Sequence, residues 1–293
     1  MATLRELKGR IGSVASSEKI TGAMKMISSA KMHKAQGALA RLLPFRSQIE
    51  TIIGNLLSAD AVFSSPLLQE RDVMRVGIVA FGSDDGLCGA YNLNLFKVVL
   101  AKIEQFKAEY GDDTRFVIIP VGSKMAKAAV KVAGGRVDVD VPSEISPKSG
   151  LAGIRAFTSM LQQRFVDGEL DAVHLVYMHF HSVSRQTPQD DCLLPVSPQS
   201  LARDTAGVTC RPYIFEPDAD TIFSSAIPMY ILAVMQDVFT ENQASEQAAR
   251  VMAMQSANDN AKKLLEQLQL EYNKLRQQSI TTELLDILGG QVR

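Results

Sequence analysis

The sequence predicts an α/β protein in which long N- and C-terminal helices pair as an antiparallel coiled coil beside a central three-layer domain. Three observations predict it. Apolar residues recur at three- and four-residue spacing over residues 1–57 and again over 219–293. Between these ends, apolar strand-like runs alternate with amphipathic segments. Charge is also divided: residues 1–57 hold nine basic and three acidic side chains, whereas 58–220 hold sixteen and twenty-one. A basic terminal helix on an acidic body reads as a surface for a partner.

The first helix opens on Leu4, Leu7, Ile11 and Val14, spaced as a coiled-coil stripe. The phase is then expected to slip, with Ile20, Met24, Ile27 and Lys31 carrying the face onward. Leu39, Leu42, Phe45, Ile49, Ile52 and Leu56 resume it. Pro44 is expected to kink or break the helix. A basic, amphipathic N-terminus could also be a transit peptide, but Glu6 and Glu18 lie inside it and the pattern continues past residue 50.

The middle reads strand by strand. Val73–Phe81 is a near-continuous apolar run suited to a buried parallel strand, and Ser83–Gly86 is a turn. Leu93–Phe106 reads as a helix, Arg115–Val121 as a strand, Ser123–Val132 as a helix and Val137–Val141 as a short strand. Gly150–Val166 is a helix and Asp171–Val183 a long strand; residues 184–211 read as a loop with an edge hairpin. This alternation argues for a mostly parallel, Rossmann-like sheet over residues 58–218. In the last segment Met254, Ala257, Ala261, Leu264, Leu268, Tyr272 and Leu275 form the stripe, and Gly289-Gly290 ends the helix. No apolar run of about 18 residues is seen, so no membrane span is expected.

Site chemistry is sparse. Gly82, Gly86 and Gly89 follow the first strand at the wrong spacing for GxGxxG, and Asp84 and Asp85 beside them would repel phosphate. No GxxxxGK[ST], HExxH, GxSxG or EF-hand loop is present. His179 and His181 share a strand face, but His174 takes the opposite one, and two ligands do not make a metal site. Cys88, Cys192 and Cys210 form no CxxC pair, and Cys88 reads as a small buried apolar residue. The basic stripe of the first helix has no aromatic residue before Phe45, so nothing there stacks on nucleic-acid bases. No cofactor, metal or nucleic acid is expected. Three classes remain: a mechanical coiled-coil shaft, an unrelated coiled-coil adaptor with a degenerate Rossmann-like head, and an α/β enzyme with helical arms.

Three stretches resemble the gamma subunit of the F-type ATP synthase. They are LRELKGRIGSVASSEKITGAMKMISSAKMHKAQ at Leu4–Gln36, SDDGLCGAYN at Ser83–Asn92, and Ala244–Gly290 with SEQAARVMAM and LQLEYNKLRQQSITTELLDILGG. The likeness extends thinly through the middle, including Phe215–Asp218. It implies a non-catalytic rotor shaft inside a ring of three alpha and three beta subunits, in contact with the epsilon subunit and the membrane c-ring. It implies beta-subunit contacts at Met24, Lys25, Arg250, Arg276, Gln277, Thr281 and Glu283. Contacts with the membrane ring or epsilon are implied at Tyr213, Glu216 and Asp218, and an apolar tip at Leu284–Val292 in a bearing sleeve. The implied location is the cytoplasmic face of the bacterial inner membrane. Gly22 and Asp85 depart from the family, which usually has Lys and often Arg there.

Overall fold

A computed structural model describes residues 3–57, 65–197, 216 and 218–290, with 289 and 290 described by backbone only. In chain order the elements are helix α1 (Leu4–Leu57), strand β1 (Arg75–Phe81), α2 (Tyr91–Tyr110), β2 (Arg115–Val121), α3 (Ser123–Ala129), β3 (Val137–Val139), α4 (Leu151–Val166), β4 (Ala172–Phe180), β5 (Gln186–Leu194) and α5 (Ala219–Gly290). Single 3₁₀ turns occupy Pro66–Leu68 and Val130–Val132. The chain divides into two compact units, one made of residues 1–29 with 250–293 and the other of 30–249.

In the larger unit the sheet order is β3-β2-β1-β4-β5. The first four strands are parallel, and β5 runs antiparallel on the edge of β4. Residues expected in a loop with an edge hairpin instead form strand β5, paired with β4, and Pro188 is tolerated there because an edge strand has one unpaired side. Alternating side chains feed two cores. Val76, Ile78, Ala80, Phe116, Ile118, Val176 and Met178 pack with α2 and α3. Val79, Phe81, Ile119, Val121, Val173, Leu175 and Tyr177 pack with α4 and with parts of α1 and α5. The result is the three-layer, Rossmann-like arrangement expected.

Here α1 and α5 run antiparallel: Lys31, Lys34 and Ala35 share a groove with Gln243, Glu246 and Gln247, Arg46 reaches Asp237, and Ile49 and Ile52 lie beside Ile222 to Met229. The buried face of α5 is Phe223, Ile227, Ile231, Met235 and Phe239. This apolar content gives α5 an 18-residue window of mean hydropathy 1.5, long and apolar enough by composition to cross a membrane. That corrects the expectation that no such stretch exists. Of the window, 44% is buried in the fold.

In the smaller unit the same two helices pair, with the Asn258 amide donating to the Glu18 carbonyl at 2.7 Å and to Thr21 Oγ1 at 3.3 Å. The expected phase slip in α1 does not occur. Ile20 and Ile27 are more than half exposed and Lys31 is exposed. Leu4, Leu7, Ile11, Val14, Glu18, Thr21, Lys25, Ser28, Met32 and Ala35 are all protected, an unbroken alternation of three and four, and Met24 of the expected face is half-buried beside Lys25. Small and polar side chains therefore hold the seam where the apolar pattern fails. Gly22 faces Asn258, and a Cβ there would lie 3.4 Å from its amide nitrogen, an ordinary contact. In α5 the seam uses Leu265, since Leu264 is 45% exposed.

Nor does Pro44 end α1. Its ring removes the N–H that would bond to the Ala40 carbonyl, but Ala40 and Pro44 are both exposed, so water can satisfy that carbonyl.

Candidate functional site: the closed crevice and the helix contacts

In doubly wound sheets ligands bind beyond the carboxyl ends of the strands, where the strand order reverses. Here that point lies between β1 and β4. It is filled from within. Asn242 of α5 is 1% exposed and its amide donates to the Gly82 carbonyl at 3.3 Å. The Tyr91 hydroxyl donates to Asn242, 2.5 Å from Oδ1 and 3.1 Å from the backbone oxygen. Ser245, fully buried, donates to the Met178 carbonyl at 2.9 Å.

The glycine-bearing loop is braced rather than open. Asn92 accepts from the Ser83 N–H at 3.0 Å and donates to Ser83 Oγ at 2.8 Å. Asp84 accepts from the Ser123 N–H at 3.0 Å, and Lys148 pairs with Asp85 at 2.7 Å. A Cβ on Gly82 would sit 2.6 Å from that of Met125, so this glycine serves close packing of β1 against α3. Gly89 and Leu87 take positive φ, 61° and 63°, in the same turn. Cys88 is 3% exposed and 3.7 Å from Ser83 Oγ.

The histidines are structural partners. His179 and His181 meet edge to face at 4.5 Å, as expected of neighbours on one side. His179 Nδ1 lies 2.6 Å from Glu241, whose carboxyl is raised by burial against the opposing pull of His179. His181 Nε2 lies 2.8 Å from Thr187 Oγ1. His174 lies in the other core, against the Phe106 ring at 4.5 Å. No group of three or more His, Cys, Asp or Glu able to hold a metal occurs among the described residues. Desolvation of its sulfur and the nearby Asp190 push the Cys192 thiol up to about 11, although the residue as a whole is exposed. Cys210 lies outside the described residues.

The residues implied as partner contacts fall into distinct settings. Met24 and Lys25 are half-buried on α1, whereas Arg250 is only 5% exposed. Arg276, Gln277, Thr281 and Glu283 are all exposed on the last turns of α5. Thr281 donates back to the Gln277 carbonyl at 2.9 Å, and Ser279 donates to Glu283 at 3.4 Å. Arg276 has no ion pair or hydrogen bond among the described residues, so its guanidinium donors are available. Leu284, Leu285, Ile287 and Leu288 are 55–63% exposed in a row. Glu216 is exposed. Asp218 has a local role: it accepts from the Thr221 N–H and hydroxyl, both at 2.8 Å, at the start of α5. Those bonds hold its carboxyl below the usual range. Tyr213 and Val292 lie outside the described residues. Sequence reasoning missed Asn242, Tyr91 and Ser245, because single polar residues in helices carry no pattern. Asn258 was findable, since it occupies a seam position.

A doubly wound head whose crevice is closed by its own helix, with long paired helices that carry exposed polar and apolar side chains, defines a coiled-coil protein with a Rossmann-like head. The comparisons with known proteins agree. The profile of a family described as ATP synthase matches residues 3–292. The chain is 41% identical to the ATP synthase gamma chain of Bacteroides fragilis (strain YCH46) over 100% of both chains. It is 36% identical to that of Methylococcus capsulatus over 99% of both. Its fold is similar to a chain in the Euglena gracilis mitochondrial ATP synthase OSCP/F1/c-ring structure, with TM-score 0.64, 20% identity, and 99% and 93% of the two chains covered. A Tetrahymena thermophila mitochondrial central stalk/c-ring structure matches at TM-score 0.56 and 21% identity, covering 81% and 99%. The chain belongs to the ATP synthase gamma chain family. It is a non-catalytic subunit, the central rotor shaft.

Proposed function

We propose that this chain turns inside an alpha3beta3 ring of a bacterial F-type ATP synthase, coupling ion flow through a membrane c-ring to ATP synthesis or hydrolysis in the beta subunits. The observation that carries this reading is the full-length likeness to gamma chains, together with a fold of long paired helices in which Asn242 fills the crevice between β1 and β4. Arg276, Gln277, Thr281 and Glu283 act as polar catches for the beta subunits, with Met24, Lys25 and Arg250 forming a second contact. The burial of Arg250 means that it acts there by holding the helix surface in shape more than by reaching out. Exposed cations of α1, including Arg5, Lys8, Arg10, Lys19, Lys31, Lys34 and Arg41, have no ion pair among the described residues, which suits an acidic partner surface.

Glu216, Asp218 and Tyr213 belong to the end that meets the c-ring and the epsilon subunit. In functional terms the chain divides into helix 1–57, α/β domain 58–218 and helix 219–293. The complex works at the cytoplasmic face of the inner membrane. Coexpression with alpha and beta subunits of the same source, followed by gel filtration and an ATPase assay, tests the proposal. The expected result is one copy of this chain per three alpha–beta pairs and turnover only in its presence; a stable monomer that never joins the ring would overturn it.

A further inference from the structure

The buried stripe of α5 in the larger unit, Phe223, Ile227, Ile231, Met235 and Phe239, is wholly apolar. Apolar burial is non-directional, so such a stripe alone resists rolling or sliding of a helix across a sheet poorly. Arg46 of α1 pairs with Asp237 beside that stripe, and directional contacts between α5 and the sheet begin just past it, with Glu241 2.6 Å from His179 Nδ1 of β4. Asn242 bonds to the carbonyl that follows β1, and Ser245 to a carbonyl of β4. The Ser245 hydroxyl reaches the Met178 carbonyl at 2.9 Å. Tyr91, the first residue of α2, closes the group from the other face of the sheet. All three side chains are at most 4% exposed. Three elements of the head thus grip one turn of α5 through geometry-dependent bonds, out of contact with water.

We propose that Tyr91, Asn242 and Ser245 form a latch that fixes the rotational setting of α5 on the α/β head and bears the torque passing between them. They are positioning residues; the inference rests on the rotor reading and names where its load is carried. In a shaft, twist about the α5 axis drives the helix to roll over the sheet. The apolar stripe can yield by small shifts, whereas the latch must break its bonds before the helix turns. Closing the crevice and bearing torque are then one device: the place where a related fold holds a ligand here holds the chain's own helix.

The test uses the complete complex in sealed vesicles, with Tyr91→Phe and, separately, Ser245→Ala. Each removes one hydroxyl and little volume. Three quantities are read: ATP hydrolysis, ions transported per ATP, and amide exchange over residues 240–248. The expected result is hydrolysis near wild type, faster exchange in the segment by about tenfold for loss of one buried hydrogen bond, and fewer ions transported per ATP. Faster exchange with ions per ATP unchanged would leave the group a packing feature and sink the proposal. Unchanged exchange in both variants would show that no latch exists. Failure of the wild-type complex to transport ions would count against the rotor reading itself, which separates the two outcomes.

Discussion

At the residue scale, two polar side chains illustrate different kinds of evidence. Arg276 is exposed, with no ion pair or hydrogen bond among the described residues. A planar guanidinium makes bidentate contacts that an ammonium cannot. Arg276→Ala and Arg276→Lys should therefore both slow ATP turnover of the assembled complex, by about tenfold if one charge-assisted contact worth ~1.4 kcal/mol is lost. Full activity of the Lys variant would remove the bidentate role. Asp218 is different, because its partners are visible: it caps α5 through Thr221. Its carboxyl is lowered from the ordinary 3.8 by the Thr221 hydrogen bonds. A lowered acid contributes stability that is present above its unfolded value and is lost as pH falls through its folded one. Asp218→Ala should therefore be less stable than wild type at neutral pH, and the two should converge in acid. Thermal melts across that range check this, and a gap that persists at the acid end would mean the cap acts through something other than charge.

At the element scale, the long helices separate what the sequence makes legible from what it hides. Strand β2 and most of α4 lie where the apolar pattern places them, because buried parallel strands and amphipathic helices leave strong signals. The α1 seam was misread between residues 18 and 31 for a physical reason. Its inward positions are Glu18, Thr21, Lys25 and Ser28, while Ile20 and Ile27 face out. Reading by hydropathy follows the isoleucines; the seven-residue rhythm follows the backbone. A polar Asn in such a seam fixes register at a cost in stability, and the half-buried Asn258 takes that place here. Gly22 provides the sharper test. A single Cβ meets Asn258 at 3.4 Å, an ordinary contact, so Gly22→Ala should stabilise the helix by about 1 kcal/mol through propensity alone. Gly22→Leu must displace Asn258 and should cost about 1–3 kcal/mol. Denaturant unfolding followed by helicity distinguishes them, and destabilisation by Ala would mean that the helices cannot separate even slightly at this point.

At the scale of the whole molecule, the missing chemistry is itself explained by packing. A doubly wound sheet invites a nucleotide, and the glycines after β1 repeat the invitation. Their spacing excluded it from the sequence, and the structure supplies the positive reason: Gly82 is needed beside Met125, and Asn242 occupies the crevice. What the sequence could not reveal was that α5, some 160 residues further on, closes the end of β1. Such long-range polar contacts leave no periodic trace. The exposed apolar side chains are the counterpart of this closed head. Leu284, Leu285, Ile287 and Leu288 together present a patch that monomeric proteins rarely leave in water. The isolated chain should therefore self-associate as its concentration rises. Replacing those four residues by Gln should suppress that association without loss of helicity in the rest of α5. In the assembled complex the same four positions should become protected from solvent, because a partner that binds the folded chain covers its apolar surface and adds stability by mass action. Sedimentation of the isolated variants and solvent-labelling of the complex measure the two halves of this argument. Self-association that survives the Gln substitutions would place the adhesive surface elsewhere, and a tip still open to label in the complex would deny it a bearing role.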